Sequence, residues 1–295
     1  MPHIPNFRKT FKIDKKANLI ESAVAIESCA KADKILNDYL GEVEPKNNNE
    51  GFRIHSLLNL TGRVYEHIQG MLVAISTGSP ASAEALARVV VEGSINIIFL
   101  AEKGDSGTLI KFFQSWLNEH NRKLNEWKQK ILEGSDAEKI STMIEERRKV
   151  ITIFDEFVNQ IEVQCSVDTA NSETDWPKSL YKRFEILGRE TDYYESYHRL
   201  SGASHITGED TLMWLMFMQA SPDHKIKAAK EAWAYSTMMT RIASMFFVDT
   251  VLACVKAYGR ENNKDLYQCK FELQLAVRKI ARQAGVPLSE SPLID

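Results

Sequence analysis

The sequence predicts an all-α fold, a multi-helix bundle of about eight to ten helices with a long helical hairpin projecting from it. Three observations carry this. Apolar residues recur at helical spacing along most of the chain, and no block of useful length alternates with the period of a strand. Only 8 prolines and 14 glycines occur in 295 residues, too few for the many short turns of a β-sandwich. The 44% hydrophobic and 26% charged content suits a soluble chain with a sizeable core.

The elements follow in order. Ile20, Val24, Ile35 and Leu36 mark a first helix over 15–41. The stretch GEVEPKNNNEG reads as a loop, because Pro45 and three asparagines oppose both helix and strand. A second helix covers 53–76. Gly78 suits the left-handed stop after it, and Ser79 before Pro80 suits a cap and first turn. The third helix, 81–103, has only Arg88 and Glu92 as charges between Ala85 and Ala101. Leu86, Val89, Val90, Ile97 and Leu100 line one side of it, Ile95 and Phe99 another. It should be buried nearly all round.

Residues 106–133 and 136–165 form two charged helices, a hairpin turning at Gly134–Ser135. Phe112, Phe113, Trp116, Leu117, Leu124 and Ile131 mark one face; Ile144, Ile151, Phe154 and Ile161 mark the other. The chain is read as a single helical domain, 1–295, with 106–165 inserted as this hairpin. The polar stretch 166–175 is a flexible connector. Trp176–Pro177 opens a helix to about residue 200. Helices at 209–219, 223–258 and 262–284 complete the chain, Ser221-Pro222-Asp223 supplying a stop and a cap.

Bulk properties exclude several functions. A net charge of −3, spread along the chain, gives no broad basic face for DNA. Cys29, Cys165, Cys254 and Cys269 contain no CxxC pair, so neither a zinc site nor a disulfide framework is expected. Reduced thiols of a cytoplasmic protein are the simpler reading. The basic N-terminus lacks the apolar core of a secretory signal. Met238–Val255 is the most membrane-like run, but Arg241 and Asp249 interrupt it, and a buried core helix is expected rather than a span. No nucleotide-binding, serine-hydrolase or zinc-protease motif is present. No cofactor is expected.

The chemistry concentrates in Tyr193–Gly208, YYESYHRLSGASHITG, where two histidines, one arginine and three tyrosines fall within sixteen residues. Arg199 and His205 suit metal-free RNA cleavage. A histidine near neutrality moves protons on or off the ribose 2′-hydroxyl or the leaving oxygen. An arginine fork grips the phosphate as charge builds. On an unbroken helix the two sit about 600° apart and share no face, so a break at Gly202 is needed to bring them together. The competing assignment is a capping histidine and a structural arginine.

Arg88 and Glu92, one turn apart on the apolar third helix, need partners in an apolar setting. Either they close on each other, or Glu92 orients Arg199 or a histidine. Glu195 and His198 have the spacing of a di-iron ligand pair, but no second such motif exists, and no metal is expected. Arg63, Glu66 and His67 read as a solvated face. Tyr193, Tyr194, Tyr197, Trp214 and Trp233 suit packing or groove lining more than base stacking.

ALARVVVEGSINIIFL followed by YKRFEILGRETDYYESYHRLSGASHITG resembles a bacterial family filed as domain of unknown function 5677. The shared positions are Arg88 and Glu92, then Tyr197, Leu200-Ser201 and His205, over about residues 80–220. The arginine–histidine spacing is also similar to that of HEPN proteins, helical bundles that include metal-independent ribonucleases of toxin–antitoxin and anti-phage systems, often active as dimers. Leu200 stands where those proteins usually carry a polar residue. That likeness implies Arg199 and His205 as catalytic residues and Glu92 as a supporting acid; Arg88, Tyr197 and Ser201, from the positions shared with the first family, and the neighbouring His198 are expected as supporting residues. It further implies an RNA substrate, a protein partner from a defence system, and a homo-oligomer; the charges within Met238–Val255 already argue against a membrane. The alternative is a non-enzymatic helical module that binds a protein or small ligand around Glu92 and His205.

Overall fold

A computed structural model of the chain describes residues 3–6, 22–131, 136–170, 172, 174–203, 208–260 and 263–285. Among the described residues the structure is all-α, with no strand. The helices are α1 (Ala23–Gly41), α2 (Asn48–Ser76), α3 (Pro80–Glu102), α4 (Ser106–Ile131), α5 (Ala137–Gln164), α6 (Leu180–Ile186) and α7 (Glu190–Asp192). A π-helical turn, Tyr193–His198, follows, then α8 (Arg199–Ala203), α9 (Gly208–Gln219), α10 (Pro222–Ala257) and α11 (Lys264–Ala284).

The chain divides into two compact units: Met1–Val43, Leu57–Glu102 and Ser179–Asp295 form one, Glu44–Ser56 and Lys103–Lys178 the other. In the first unit α10 is the central helix, packed on α3, α11 and α1. Its second half buries Met238, Phe246, Phe247, Val251 and Val255. By length and composition α10 is the one described helix able to cross a membrane, yet 78% of its most apolar window is buried in the fold. It is a core helix, as its charges predicted. Arg241, fully enclosed, donates to the Thr240 hydroxyl at 2.8 Å and the Thr237 carbonyl at 3.3 Å.

The second unit is built on the α4–α5 hairpin. Ile110, Leu117 and Leu124 face Ile144, Ile151 and Val158, each set spaced by sevens. That is the repeat of two helices wound left-handed around one another.

Several boundaries differ from the sequence expectation. The expected loop 41–51 is shorter, because α2 already begins at Asn48. Asn47 Oδ1 accepts the Glu50 N–H at 2.9 Å, and Glu50 accepts the Lys46 N–H at 2.7 Å, a near-reciprocal cap. Asparagine here starts a helix rather than opposing one. The helix expected from Trp176 starts instead at Leu180, where Ser179 accepts the Lys182 N–H, and it stops at Gly188. Gly188 takes φ 67°, and the Arg189 N–H returns to the Phe184 carbonyl at 2.9 Å, closing the helix end. In α3, Val90, Val91, Ser94, Ile95 and the run from Ile97 to Ala101 are buried, with Glu92, Gly93 and Asn96 partly so, but the expected burial fails earlier, since Val89 is 42% exposed.

Candidate functional site

The site lies in the first unit and grows from one stripe of α3. Glu84, Arg88 and Glu92 succeed each other at four-residue steps, so their side chains leave one face of the helix. An acid–base–acid stripe on so apolar a helix needs partners, and the π-helical turn and α10 supply them.

Tyr197 makes the central contact. Its hydroxyl accepts from Arg88 Nη2 at 3.1 Å and donates to Glu92 Oε2 at 3.3 Å. The Arg88 guanidinium carbon also lies 5.1 Å from the Tyr197 ring centre, within cation–π reach. One phenol therefore uses its oxygen and its ring to hold an arginine, and its proton to hold a carboxylate. Behind it lies Arg183 on α6, 7% exposed. Burial pulls the Arg183 guanidinium down to about 10, while Glu92 and Tyr197 pull it back up. It stays charged at neutral pH and adds a second cation beside Glu92.

The other end of the stripe faces α10. Ser236 Oγ donates to Glu84 Oε1. Burial and the Glu84 charge push the Tyr235 hydroxyl up to about 12, opposed by Arg199, so it stays protonated. Arg199 is exposed at the start of α8. Arg88, Arg183 and Arg199 against Glu84 and Glu92, three positive groups and two negative, leave one net positive charge.

The π-helical turn sets the aromatic rim. Its wider winding places residues four and five apart on one side. Tyr193 thus meets Tyr197 with ring centres 5.6 Å apart and His198 at 6.2 Å. Tyr194 meets His198 at 6.3 Å, and Tyr181 of α6 meets Tyr193 edge-on at 5.1 Å. Tyr194 is 55% exposed and Tyr181 is 37% exposed, so this rim offers ring faces and edges to solvent.

Of the residues expected from sequence, Arg88, Glu92 and Tyr197 come together. Arg199 joins them through the Glu84–Tyr235 side, His198 belongs to the aromatic rim, and Ser201 is half-buried on α8. His205 lies outside the described residues. Gly202 lies in α8, which ends at Ala203, and residues 204–207, where the expected break would show, lie outside the described residues; an irregular winding is found earlier, at Tyr193–His198. Glu84, Arg183, Tyr235 and Ser236 were not anticipated. Glu84 was legible as one further step of the same stripe; the others join by tertiary contact and left no local signal. Among the described residues no set of three His, Cys, Asp or Glu side chains is placed to hold a metal ion.

No curated protein and no solved structure matches the chain. Residues 55–237, which include the whole α3 stripe and the tyrosine turn, match the family of unknown function DUF5677, and the chain belongs to that family.

Proposed function

We propose that this chain is a HEPN-like, metal-independent endoribonuclease, a cytoplasmic effector of a bacterial anti-phage defence or toxin–antitoxin system. The observation that carries the reading is the position of Arg199. It is an exposed arginine two residues beyond Tyr197, on a backbone anchored through the Arg88–Tyr197–Glu92 chain of hydrogen bonds. Arg199 holds the phosphodiester, and His205 takes the proton from the ribose 2′-hydroxyl. The 2′-oxygen bonds to phosphorus, the bond to the 5′-oxygen breaks, and that oxygen leaves with the proton that His205 took up. Glu92 acts through Tyr197 as a positioning residue. Leu200, fully buried, is a packing anchor, so the residue after the arginine takes no part in the chemistry.

The test is cleavage of single-stranded RNA in EDTA. Wild-type protein is expected to cut. Arg199→Ala and His205→Ala are each expected to lose about 100-fold or more in rate, the size of effect a positioned proton-transfer or charge-stabilising group contributes. Arg199→Ala should move stability by less than about 0.5 kcal/mol, as expected for an exposed side chain. Uncut RNA with wild-type protein, or full activity in both variants, overturns the reading.

One observation favours a second reading. Tyr197 occupies both Arg88 and Glu92, making them a rigid wall as suited to holding a ligand as to catalysis. A non-enzymatic binding module for a protein or small anionic ligand would bind without turnover, and Arg199→Ala would then weaken binding alone.

A further inference from the structure

Helix α9 departs from the ordinary rule for soluble helices. Leu212, Met213, Trp214, Leu215 and Met216 are consecutive, so their side chains leave the axis in every direction. They are 63%, 63%, 58%, 47% and 72% exposed, and Met218 is 54% exposed. A helix apolar all round is normally enclosed by protein. Its neighbour in the fold is α10, whose own opening turns from Pro222 to Ala232 are exposed apart from half-buried Lys225, and Ile226 there is 56% exposed. The two helices, joined at Ser221, form an arm carrying a large apolar surface.

The area decides what covers it. Seven side chains about half or more exposed, each offering roughly 150–250 Å² in full, present on the order of 800 Å². That exceeds the largest apolar patch usual on a monomer. It equals one partner's share of a standard protein–protein interface, about 800 Å². The all-round distribution narrows the choice further. A helix lying on a bilayer needs a polar, basic face opposite its apolar one, and Leu212–Met218 has no charged residue and no polar face. An occupant must instead bring helices to more than one side of α9.

We propose that a second copy of this chain covers α9, the two arms packing about a two-fold axis so that each α9 lies between the other copy's α9 and the first turns of its α10. A two-fold contact pairs a surface with itself, so the exposed apolar area of one copy finds an equal area on the other. The methionines suit such a seam, being unbranched and able to fill irregular gaps. The arm is also continuous with the site: α10 runs from these exposed turns directly to Tyr235 and Ser236. Pairing of the arms therefore fixes the helix from which the Glu84 end of the stripe is held. The proposal stands whether or not the chain cuts RNA.

Sedimentation velocity on the full chain tests it, at concentrations around 1 to 50 µM, where an interface of micromolar or tighter affinity is populated. Wild-type protein is expected to be a dimer. Trp214→Glu and Met216→Glu, each at an exposed position in the single chain, are expected to be monomers with wild-type circular dichroism. Met213→Cys is expected to form an intermolecular disulfide faster than Cys placed at exposed Lys256, at the far end of α10 from the arm. Flotation with vesicles of mixed anionic and zwitterionic phospholipid runs beside it. A monomeric wild type at 50 µM overturns the proposal, with or without vesicle binding, since interfaces of this size that form specifically span micromolar to picomolar affinities. Dimers that survive both glutamate substitutions overturn it as well.

Discussion

Tyr197 joins two charges of opposite sign through one oxygen, and this makes it the most informative single residue to change. In Tyr197→Phe the ring stays over Arg88, but the guanidinium and the Glu92 carboxylate both lose a partner while half-buried. A polar group left short of a hydrogen bond costs about 1–3 kcal/mol, more than the bond itself contributes. The variant should therefore melt several degrees lower, and any activity at Arg199 should fall through lost positioning. A calorimetric scan showing no shift would mean water replaces the hydroxyl at no cost. Asp33 offers a second test, through pH. Burial holds its carboxyl above the usual carboxylate range, and its charge is felt by Tyr65. The folded state therefore binds this proton more tightly than the unfolded chain does. The contribution is fully present below the unfolded value of about 3.9 and is lost as pH rises through the folded one. Asp33→Asn should be more stable than the parent at about pH 7, with the gap shrinking towards about pH 4. Urea midpoints of the two proteins across that range check this; a constant gap refutes it.

At the scale of elements, close packing between α2 and α3 sets a demand that helix propensity alone does not reveal. A Cβ at Gly93 would sit 2.7 Å from Val64 Cγ2, too close for a short, stiff, buried side chain to yield. At Gly70 it would meet the end of Leu86 at 3.4 Å, an ordinary contact. Glycine to alanine in a helix interior ordinarily gains about 0.5–1 kcal/mol. Gly70→Ala should show that gain. Gly93→Ala should instead lose about 1–3 kcal/mol to overpacking, and adding Val64→Ala should restore part of it. Denaturant midpoints of the four proteins test the sign at each position. Glycine's role here was invisible in the sequence, because the partner side chain lies 29 positions away. Signals confined to a few residues were legible: the Ser221 cap ahead of Pro222, the left-handed Gly78, the core placement of α10, and four of the six seam residues of α4 and α5 (Leu117, Leu124, Ile144 and Ile151), whereas Ile110 and Val158 were missed and Trp116 and Phe154, expected on the same faces, are exposed. The same local reasoning failed where one residue type has two uses, as with the asparagines before α2 and the tight stop at Gly188. For the site, four-residue spacing exposed Arg88 and Glu92, and composition exposed the tyrosine turn. The π-helical winding that lays Tyr197 across both of them is a tertiary outcome, as is the arrival of Arg183 from α6.

Across the whole molecule, the two units rest on cores of very different depth. In the first, α10 is enclosed by helices on several sides, and Met239, Phe247, Val248 and Cys254 are each within 1% of full burial. In the second, the described core cluster of the hairpin is one seam of six apolar side chains, while Trp127, Ile153 and Phe157 on its outer surface are more than half exposed. A seam of that kind has few layers with which to offset the ordering entropy of two long helices. Removing one layer should therefore be costly there and should stay local. Leu117→Ala, which deletes a seam residue 3% exposed, is expected to destabilise the second unit by about 2–4 kcal/mol. Calorimetry should then show two transitions, the lower one shifted down and the upper one unchanged. Amide exchange should quicken along α4 and α5 while protection of α3 and α10 stays as in the parent. If α3 and α10 lose protection in step with the hairpin, the two units unfold as one cooperative body, and the chain's stability is set by its thinnest seam rather than by its deepest core.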